Sequence, residues 1–414
     1  MRPLEIAICG CGPAGLAAAL LLHRQGHRIV LVERFAEPRP LGSGLLLQPT
    51  GLAVLEQLGL ARNIAGLGQP VTRLFGKAVP SGRTTLDVRY AALGSDVHAI
   101  GIHRAALFGA LFAAVQAETI AIETGFEIAS LDWSSDGRPL LTGKTGRRLG
   151  PFDLAIDALG SRSTLAESRF GPSLHRPLAY GALWASLPWP GGSFDVHALE
   201  QRYRAANRMV GVLPTGRRAP GGSQEAAFFW SLKPRQHAAW LARGLEPWKD
   251  DVRALWPETE PLLGSVTDPA QMVLASYGHH TLALPVAGRL AVIGDAAHAT
   301  SPQLGQGANM ALMDAAALAA ALQANDDLAE ALASYARLRR WHVRLYQAVS
   351  AVFTPFYQSD SVVLPFLRDR MFAVAARLPG GGRALASLVA GQWGAPLPPV
   401  SVAAMRSAPC SKQV

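Results

Sequence analysis

The start of the chain alternates between short apolar runs and one longer run rich in Ala and Leu. Residues 6–9 form a short apolar run, residues 16–22 form the longer one, and residues 29–32 form a second short run. Apolar runs of four to eight residues are typical of buried strands, whereas a longer run favours a helix. The order strand, helix, strand predicts two parallel strands joined by a crossover helix, as in α/β proteins.

Three glycines stand in the turn between the first strand and the helix. Gly10, Gly12 and Gly15 have the spacing Gly-x-Gly-x-x-Gly, and Glu33 follows the second strand. In dinucleotide-binding folds such glycines permit the turn, the approach of the backbone to a pyrophosphate and close helix packing, while the acid binds ribose. A chance glycine turn in another doubly wound sheet is the alternative. Because a carboxylate repels a 2′-phosphate, the pattern predicts FAD or NAD rather than NADP.

A second strand, turn and helix lie late in the chain. Residues 290–293 read as a strand, Gly294 and Asp295 as a turn, residues 301–307 as a Pro/Gly loop and residues from 308 onward as a helix. The N-terminus of that helix would point at an anionic or electron-rich group, and Asp295 would accept hydrogen bonds from ribityl or ribose hydroxyls. Two such units, one for each end of a long cofactor, favour FAD over NAD.

The segments between these units have a different pattern. Residues 180–187, 209–213 and 226–232 look like half-buried strands that contain aromatics, and Pro/Gly turns separate them. This pattern predicts a second domain inserted into a discontinuous first one. The predicted FAD-binding domain comprises residues 1–71, 98–176 and 273–355, and the predicted substrate domain comprises residues 72–97 and 177–272.

Aromatic side chains on the inserted strands are candidates for a substrate chamber. Trp184, Phe228 and Trp230 are predicted to face it. Phe228 and Trp230 share one face because side chains alternate along a strand, and Phe229 points the other way. Packing within the core of the sheet is the alternative role for these aromatics.

The glycine motif and the sequence GDAAH at residues 294–298 together resemble the flavoprotein aromatic hydroxylase family. These are single-component FAD-dependent monooxygenases of the para-hydroxybenzoate hydroxylase type. The resemblance covers residues 4–60, 98–176 and 272–355. It implies an α/β fold: a Rossmann-like, discontinuous FAD-binding domain with an inserted mixed β-sheet substrate domain and C-terminal helices.

The motifs and the resemblance together imply a set of cofactor-binding residues. In the family, the counterpart of Gln48 lies along the FAD, that of Arg104 reaches the flavin nucleotide, and Pro302 with residues 305–307 would line the isoalloxazine. The predicted set is Gly10, Gly12, Pro13, Ala14, Gly15, Glu33, Arg34, Gln48, Arg104, Asp157, Gly160, Asp295, Pro302, Gly305 and Gly307. No catalytic side chain is assigned, because the resemblance makes a dedicated acid or base optional.

One motif departs from the family. Its middle motif reads Gly-Ala-Asp-Gly-x-x-Ser, whereas residues 157–163 read DALGSRS, so that Leu159 stands in the place of the Asp. The family's Asp-Gly is implicated in binding both FAD and NAD(P)H. Either Asp157 substitutes for it after a local shift, or the nicotinamide nucleotide docks differently in this protein.

The segment 356–414 is predicted to form C-terminal helices. It contains two short amphipathic patterns around residues 379–382, and it resembles the tail of the ubiquinone-biosynthesis branch of the family. Such helices either cover the FAD-binding domain or offer a surface to a lipid or a partner.

Composition narrows the function classes. The net charge is +9, but the arginines are scattered, which disfavours nucleic-acid binding. No apolar run approaches the length of a spanning helix, so no transmembrane segment is predicted, although peripheral membrane contact stays open. The three cysteines, Cys9, Cys11 and Cys410, support neither a disulfide framework nor a metal site, and they favour a cytoplasmic location.

The resemblance implies hydroxylation of an aromatic or polyketide-like small molecule. NAD(P)H would reduce the FAD, molecular oxygen would add to form a flavin hydroperoxide, and its distal oxygen would pass to an electron-rich carbon. One alternative is an FAD-dependent oxidoreductase, halogenase or cyclase that does not hydroxylate, although the halogenase Trp-x-Trp-x-Ile-Pro signature is not found, since residues 184–190 read WASLPWP. Another is a non-catalytic, membrane-peripheral flavin-binding protein. Oligomeric state is not predicted.

Overall fold

The computed structural model describes residues 1–38, 42–171 and 176–394. Residues 395–414, which include Cys410 and the end of the predicted tail, lie outside the described residues. The predicted order of strand, turn and helix is present in both cofactor motifs, at residues 5–24 and at residues 290–324. The strands of the middle segment form a second large sheet.

The secondary structure elements are numbered in chain order. The strands are β1 (Glu5–Cys9), β2 (Arg28–Val32), β3 (Gly44–Leu47), β4 (Gln69–Val71), β5 (Arg73–Ala78), β6 (Thr84–Arg89), β7 (Ala99–His103), β8 (Ala121–Glu123), β9 (Ile128–Trp133), β10 (Pro139–Gly143), β11 (Arg148–Leu149), β12 (Leu154–Asp157), β13 (Arg176–Pro177), β14 (Gly181–Pro188), β15 (Ala198–Arg204), β16 (Arg208–Gly216), β17 (Glu225–Leu232), β18 (Val273–Ala275), β19 (Gly278–His279), β20 (Val286–Ala287) and β21 (Leu290–Val292). The helices are α1 (Pro13–Arg24), α2 (Pro49–Gln57), α3 (Ala61–Leu67), α4 (Arg104–Ala117), α5 (Thr164–Phe170), α6 (His237–Arg243), α7 (Leu245–Arg253), α8 (Glu260–Gly264), α9 (Asp295–His298), α10 (Gly307–Ala324), α11 (Leu328–Tyr357), α12 (Val363–Arg377) and α13 (Gly381–Val389).

A six-stranded sheet in the order β20-β21-β12-β1-β2-β8 carries the first motif. Its strands are parallel except for β20 at one edge. The centre of β1 is buried on both faces, which explains why it reads as a continuous apolar run rather than an alternating one. The largest apolar core of the described residues joins α1, α4 and α10 to this sheet. The carboxyl ends of β1, β2, β12 and β21 meet at one edge, where α/β folds bind ligands.

A seven-stranded sheet in the order β18-β14-β17-β16-β15-β5-β6 forms the second layer. It is antiparallel except between β15 and β5, which are parallel. One of its faces packs under α6, α7 and α8 through a cluster that includes Trp240, Trp248 and Trp256. The other face meets β3, because a Cβ added at Gly44 would lie 2.6 Å from both Ala227 Cβ and Thr215 Cγ2. The division of these layers into two domains stays a prediction.

The predicted boundary at residue 355 falls inside a helix. α11 continues without a break from Leu328 to Tyr357, with Pro355 in its last turn. Phe353 and Phe356 on this helix contact Phe372 on α12, with ring centroids 5.5 and 5.1 Å apart. The first two residues of the predicted tail, 356 and 357, therefore extend α11. The next part, α12, packs against that helix.

A buried charged cluster holds the turn that follows β21. Asp314 on α10 accepts hydrogen bonds from the Gly294 N–H at 2.7 Å, from His298 Nε2 at 2.6 Å and from Arg339 Nε at 2.7 Å. Burial alone would raise the pKa of Asp314, but His298 and Arg339 lower it to about 2. The carboxylate thus ties α9, α10 and α11 to the turn that carries Asp295.

We expect Asp314→Asn to destabilise the fold strongly. The substitution leaves the Arg339 guanidinium, which is 2% exposed, without its counterion. Removing one partner of a buried pair costs about 3–5 kcal/mol. Urea unfolding at neutral pH measures this loss. Asp136→Asn, which removes an exposed partner of Arg138, is the control and should change little.

The same pair of proteins tests the pH dependence. The pKa of Asp314 lies below its ordinary value of 3.8, at about 2, so its contribution to stability is present above 3.8 and is lost as the pH falls through 2. The difference in unfolding free energy between wild type and Asp314→Asn should therefore stay constant from pH 7 to about 4 and shrink below it. A difference that shrinks near pH 6 instead would assign the effect to another group.

Candidate active site

A cavity of about 950 Å³ opens at the carboxyl ends of the parallel strands. Its walls come from the turn after β1, the end of β2, the loop after β12 and the N-terminal ends of α9 and α10. The predicted cofactor residues that line it are Gly10, Gly12, Pro13, Ala14, Glu33, Arg34, Arg104, Gly160, Asp295 and Gly307. Residues more than 280 positions apart in the chain thus meet in one continuous space.

The three glycines of the first turn have distinct geometries. Gly10 has a φ of +109°, and a Cβ there would lie 2.7 Å from Ala158 O on the loop after β12. A Cβ at Gly15 would clash with Gly10 O. No described atom lies within 4 Å of a Cβ built on Gly12, which faces the cavity. Gly10 and Gly15 therefore close the turn, and Gly12 leaves room for a ligand beside the N-terminus of α1.

Glu33, which follows β2, holds this turn through hydrogen bonds. Its Oε2 accepts a hydrogen bond from the Cys11 N–H at 2.9 Å, and its Oε1 accepts one from the Phe35 N–H at 3.2 Å. Each carboxylate oxygen keeps further lone pairs for ribose hydroxyls. Burial and then the Glu33 charge raise the pKa of Cys11 to about 12, so this thiol stays protonated.

Asp157 does not line the cavity. Its Oδ1 accepts a hydrogen bond from the Leu159 N–H at 3.0 Å, and its Oδ2 accepts one from the Ser163 hydroxyl at 2.5 Å. Ser163 in turn caps α5. Burial raises the pKa of Asp157 to about 6 despite these hydrogen bonds. Asp157 therefore shapes the loop that presents Leu159 and Gly160 to the cavity, rather than reaching a ligand through its own carboxylate.

The second motif forms the opposite wall. Asp295 lies at the start of α9, and a Cβ built on Gly307 would be 3.9 Å from its Oδ1. α10 begins at Gly307 and runs for 18 residues, so its N-terminal N–H groups and dipole face the same space. Pro302 and Gly305 form the loop just before α10, with Gly305 in the left-handed conformation at a φ of +60°, but neither is part of the cavity wall.

Gln48 lies behind this loop, fully buried. Its Oε1 accepts a hydrogen bond from the Tyr90 hydroxyl at 2.6 Å, and its backbone N–H donates to Asn309 Oδ1 at 2.8 Å. Its Nε2 has no hydrogen-bond partner among the described residues, and a Cβ on Gly305 would be 3.6 Å from it. Because an unsatisfied buried donor is costly, this N–H suits an acceptor on a bound cofactor.

Aromatic residues gather on the inner face of the seven-stranded sheet. Trp184 on β14 pairs with Phe229 on β17, and their rings lie 4.6 Å apart. The Trp184 Nε1–H donates to the Tyr277 hydroxyl at 2.6 Å. Phe229 shares its face with Ala227, which contacts the β3 side of the molecule. Trp184 and Phe229 therefore lie on the side of the sheet that packs against β3, whose Leu45 lines the cavity. None of Trp184, Phe229 and Tyr277 lines the cavity itself; below we call these three residues the aromatic wall.

The prediction for Phe228 and Trp230 is wrong. Both side chains point to the opposite face, into the cluster under α6, α7 and α8, where Phe228 meets Trp248 at 6.1 Å. The alternation along β17 was predicted correctly, but the choice of face was not. The Trp residues at 240, 248 and 256, which follow the sheet strands in the sequence, signal that helices bury this outer face.

Three further residues at the site carry no local sequence signal. Tyr277 and Tyr90 lie outside the motifs and reach the site only through the fold. His103 caps α4, because its Nδ1 accepts the Ala105 N–H at 3.1 Å. Its Nε2 therefore carries the hydrogen and donates to Ser186 Oγ at 3.0 Å, which joins β7 to β14.

Neither a metal centre nor a membrane-spanning helix is found among the described residues. No three His, Cys, Asp or Glu side chains in the described ranges lie close enough together to hold a metal ion. None of the helices described here is both long enough and apolar enough to cross a membrane.

Comparisons with known proteins agree with this geometry. The family described as FAD binding domain matches residues 3–147 and 192–347. The chain is 29% identical to 3-amino-4-hydroxybenzoate 2-monooxygenase of Streptomyces cremeus, over 82% of this chain and 84% of that protein. It is also 29% identical to phenazine 1,6-dicarboxylic acid hydroxylase PhzS of Lysobacter antibioticus, over 81% and 86%.

The fold is shared with solved structures. Klebsiella pneumoniae HpxO, solved with FAD and uric acid, matches with a TM-score of 0.77 at 21% identity, over 94% of this chain and 96% of that one. The predicted α/β fold class, the predicted family and the FAD cofactor are thereby confirmed. The Gln48 Nε2, which has no partner among the described residues, and the open space beside Gly12 fit such a cofactor. The chain belongs to the FAD binding domain family and is an FAD-dependent monooxygenase of the flavoprotein aromatic hydroxylase type.

Proposed function

We propose that this enzyme hydroxylates an aromatic small molecule, with NAD(P)H as electron donor and molecular oxygen as co-substrate. The observation that carries the proposal is the aromatic wall, which lies on the side of the sheet that packs against β3, a strand that lines the cofactor cavity through Leu45. The curated relatives are named for 3-amino-4-hydroxybenzoate and phenazine 1,6-dicarboxylic acid, which are aromatic acids. The relatives do not favour the halogenase, cyclase or non-catalytic alternatives.

The cofactor would lie along the whole cavity. The backbone at Gly12 and the N-terminus of α1 would hold the pyrophosphate, and Glu33 would hold a ribose. Asp295 would bind ribityl hydroxyls, and Gln48 Nε2 would donate to the ring system near Gly305. Bound FAD supplies the redox chemistry that activates oxygen. The protein contributes binding, orientation and electrostatics.

The N-terminus of α10 provides the electrostatics. Its first turn lines the cavity at Gly307, Ala308 and Ala311, with the Asp295 carboxylate beside it. Helix N-termini stabilise negative charge by about 0.3–1 kcal/mol at exposed sites and more when partly buried. This charge distribution favours an anionic state of a ring system bound there.

Tyr277 would position the substrate. Its hydroxyl oxygen already accepts the Trp184 N–H, which leaves the phenolic hydrogen to donate. Burial raises the pKa of Tyr277 to about 12, so it is a neutral donor at physiological pH. An aromatic substrate with a hydroxyl or carboxylate group would accept this hydrogen bond, while its ring packs on Trp184 and Phe229.

The proposal also covers the location of the enzyme in the cell and its contact with membranes. A cytoplasmic location is inferred from the few cysteines, of which Cys9 and Cys11 are free and buried among the described residues. Peripheral membrane contact through the C-terminal segment stays a prediction.

Oxygen consumption with labelled O₂ tests the proposed function. The purified, FAD-loaded enzyme is given NADH or NADPH with a panel of hydroxybenzoates, phenazine carboxylates and purines. We expect at least one compound to stimulate NAD(P)H oxidation and to gain one labelled oxygen atom. Stimulated oxidation that yields only hydrogen peroxide with every compound, and no labelled product, would reject hydroxylation of these classes.

We expect Gln48→Leu to weaken FAD binding about five- to tenfold, the equivalent of one hydrogen bond of about 1 kcal/mol. The Leu removes the Nε2–H near Gly305 with little change in volume. Flavin fluorescence during titration of the apoprotein measures the dissociation constant. Gln25→Leu, which removes a side-chain amide far from the cavity, is the control. Equal affinity of both variants and wild type would place Gln48 outside the cofactor contacts.

We expect Tyr277→Phe to raise the KM for the aromatic substrate about three- to tenfold while FAD content stays unchanged, because one neutral hydrogen bond is lost. Steady-state kinetics and the flavin absorbance per chain give both quantities. Tyr346→Phe is the matched control, since it removes a buried hydroxyl that donates to Leu388 O at 2.7 Å away from the cavity wall. An unchanged KM in Tyr277→Phe would contradict the positioning role.

A further inference from the structure

A second cavity, of about 670 Å³, lies on the far side of the buried Asp314 cluster. One wall is the segment 281–288, which leads into β20, and the other is the stretch of α11 from Ala329 to Arg344. The GDAAH motif reaches this cavity only through Ala297 and His298. We call it the arginine cleft, after the side chains of Arg337, Arg340 and Arg344 that line it.

The three arginines share one face of α11. Their spacing of three and four residues places them on consecutive turns, spread over about 10 Å along the helix axis. All three are exposed, and no salt bridge to them is found among the described residues. They therefore present donors that nothing in the described part of the chain neutralises.

The described acidic side chain in the cleft wall does not balance this charge. Asp314 is fully buried, and its oxygens are taken by Gly294, His298 and Arg339. Arg339 itself lines the cleft, and its Nη2 has no hydrogen-bond partner among the described residues. The cleft thus carries a net positive charge in a partly enclosed space that favours anions.

The wall opposite the arginines is apolar. It contains Leu284, which is 53% exposed, with Pro285 and Val286. Leu332 and Ala333 of α11 add apolar surface to the wall that carries the arginines. A ligand that fits both walls has an anionic end for the guanidinium groups and an apolar body. Guanidinium groups bind carboxylates and phosphates in a bidentate manner, which gives such a site both charge and direction.

The cleft is connected to the cofactor cavity through one carboxylate. Asp314 and His298 line the cleft, and the same Asp314 accepts the N–H of Gly294, the residue before Asp295. An anion close to Arg339 competes with Asp314 for its guanidinium and so changes the support of the Gly294–Asp295 turn. A ligand bound in the cleft would therefore change the surroundings of the flavin through this contact.

We propose that the arginine cleft is a second binding site, for a small organic oxyanion with an apolar body, and that its occupancy alters the environment of the flavin. The oxyanion is a carboxylate or a phosphate; both use the same guanidinium chemistry. The site is separate from the aromatic wall, none of whose three residues lines the cleft.

Binding to the FAD-loaded enzyme tests the proposal, because the nucleotide cavity is then filled. Octanoate serves as the carboxylate probe and ADP as the phosphate probe, each followed by calorimetry and by flavin absorbance at low and at physiological ionic strength. We expect one of them to bind with a stoichiometry of one and to shift the flavin spectrum. Binding of octanoate alone assigns a carboxylate, and binding of ADP alone assigns a phosphate.

A charge-matched pair of variants supplies the control. The triple variant Arg337→Ala, Arg340→Ala, Arg344→Ala should bind the probe at least about tenfold more weakly, since it loses charge-assisted hydrogen bonds. The variant Arg62→Ala, Arg83→Ala, Arg148→Ala removes the same net charge from exposed positions elsewhere and should bind as wild type does. An equal loss in both variants, or no binding of either probe to wild type, overturns the proposal. Thermal unfolding of both variants verifies that they are folded.

Discussion

The close approach of backbone to backbone at the end of β1 is the constraint on which the rest of this structure depends. A side chain at Gly15 would collide with the carbonyl of Gly10, and one at Gly10 would lie 2.7 Å from the carbonyl of Ala158. Only without these side chains can α1 begin directly at the sheet edge and leave the space beside Gly12 open. The position of the helix N-terminus and the open space beside Gly12 both follow from this contact.

The second half of the cavity is held by charge instead of by close packing. Asp314 gathers the Gly294 N–H, His298 and Arg339, which come from two separate stretches of chain, around one fully buried carboxylate. Such a cluster costs desolvation, but it specifies where the turn before α9 must lie. The two halves of the cofactor site are therefore positioned by different interactions. The first turn depends on the absence of side chains at two glycines, and the second depends on a network of directional hydrogen bonds.

The departure in the middle motif has a structural explanation of the same kind. Where the family has an Asp, this chain has Leu159 in the cavity wall, and the nearby Asp157 is turned inward to hold Leu159 N–H and Ser163. These hydrogen bonds to the Asp157 carboxylate hold the loop. What changes is the cavity surface, which is apolar at Leu159 and has no carboxylate there for a nicotinamide nucleotide to meet.

The sequence by itself determined the two cofactor turns, the acidic residue after β2, the family and the FAD cofactor, because each depends on residues close together in the chain whose spacing leaves few conformations. Only the tertiary structure decided which face of the seven-stranded sheet meets the cofactor. Alternation along β17 separates Phe228 from Phe229, but it does not say on which side α6, α7 and α8 will pack. For the same reason Tyr277, Tyr90 and the three arginines of α11 could not be assigned in advance, since their neighbours come from distant segments and long-range packing alone brings them together.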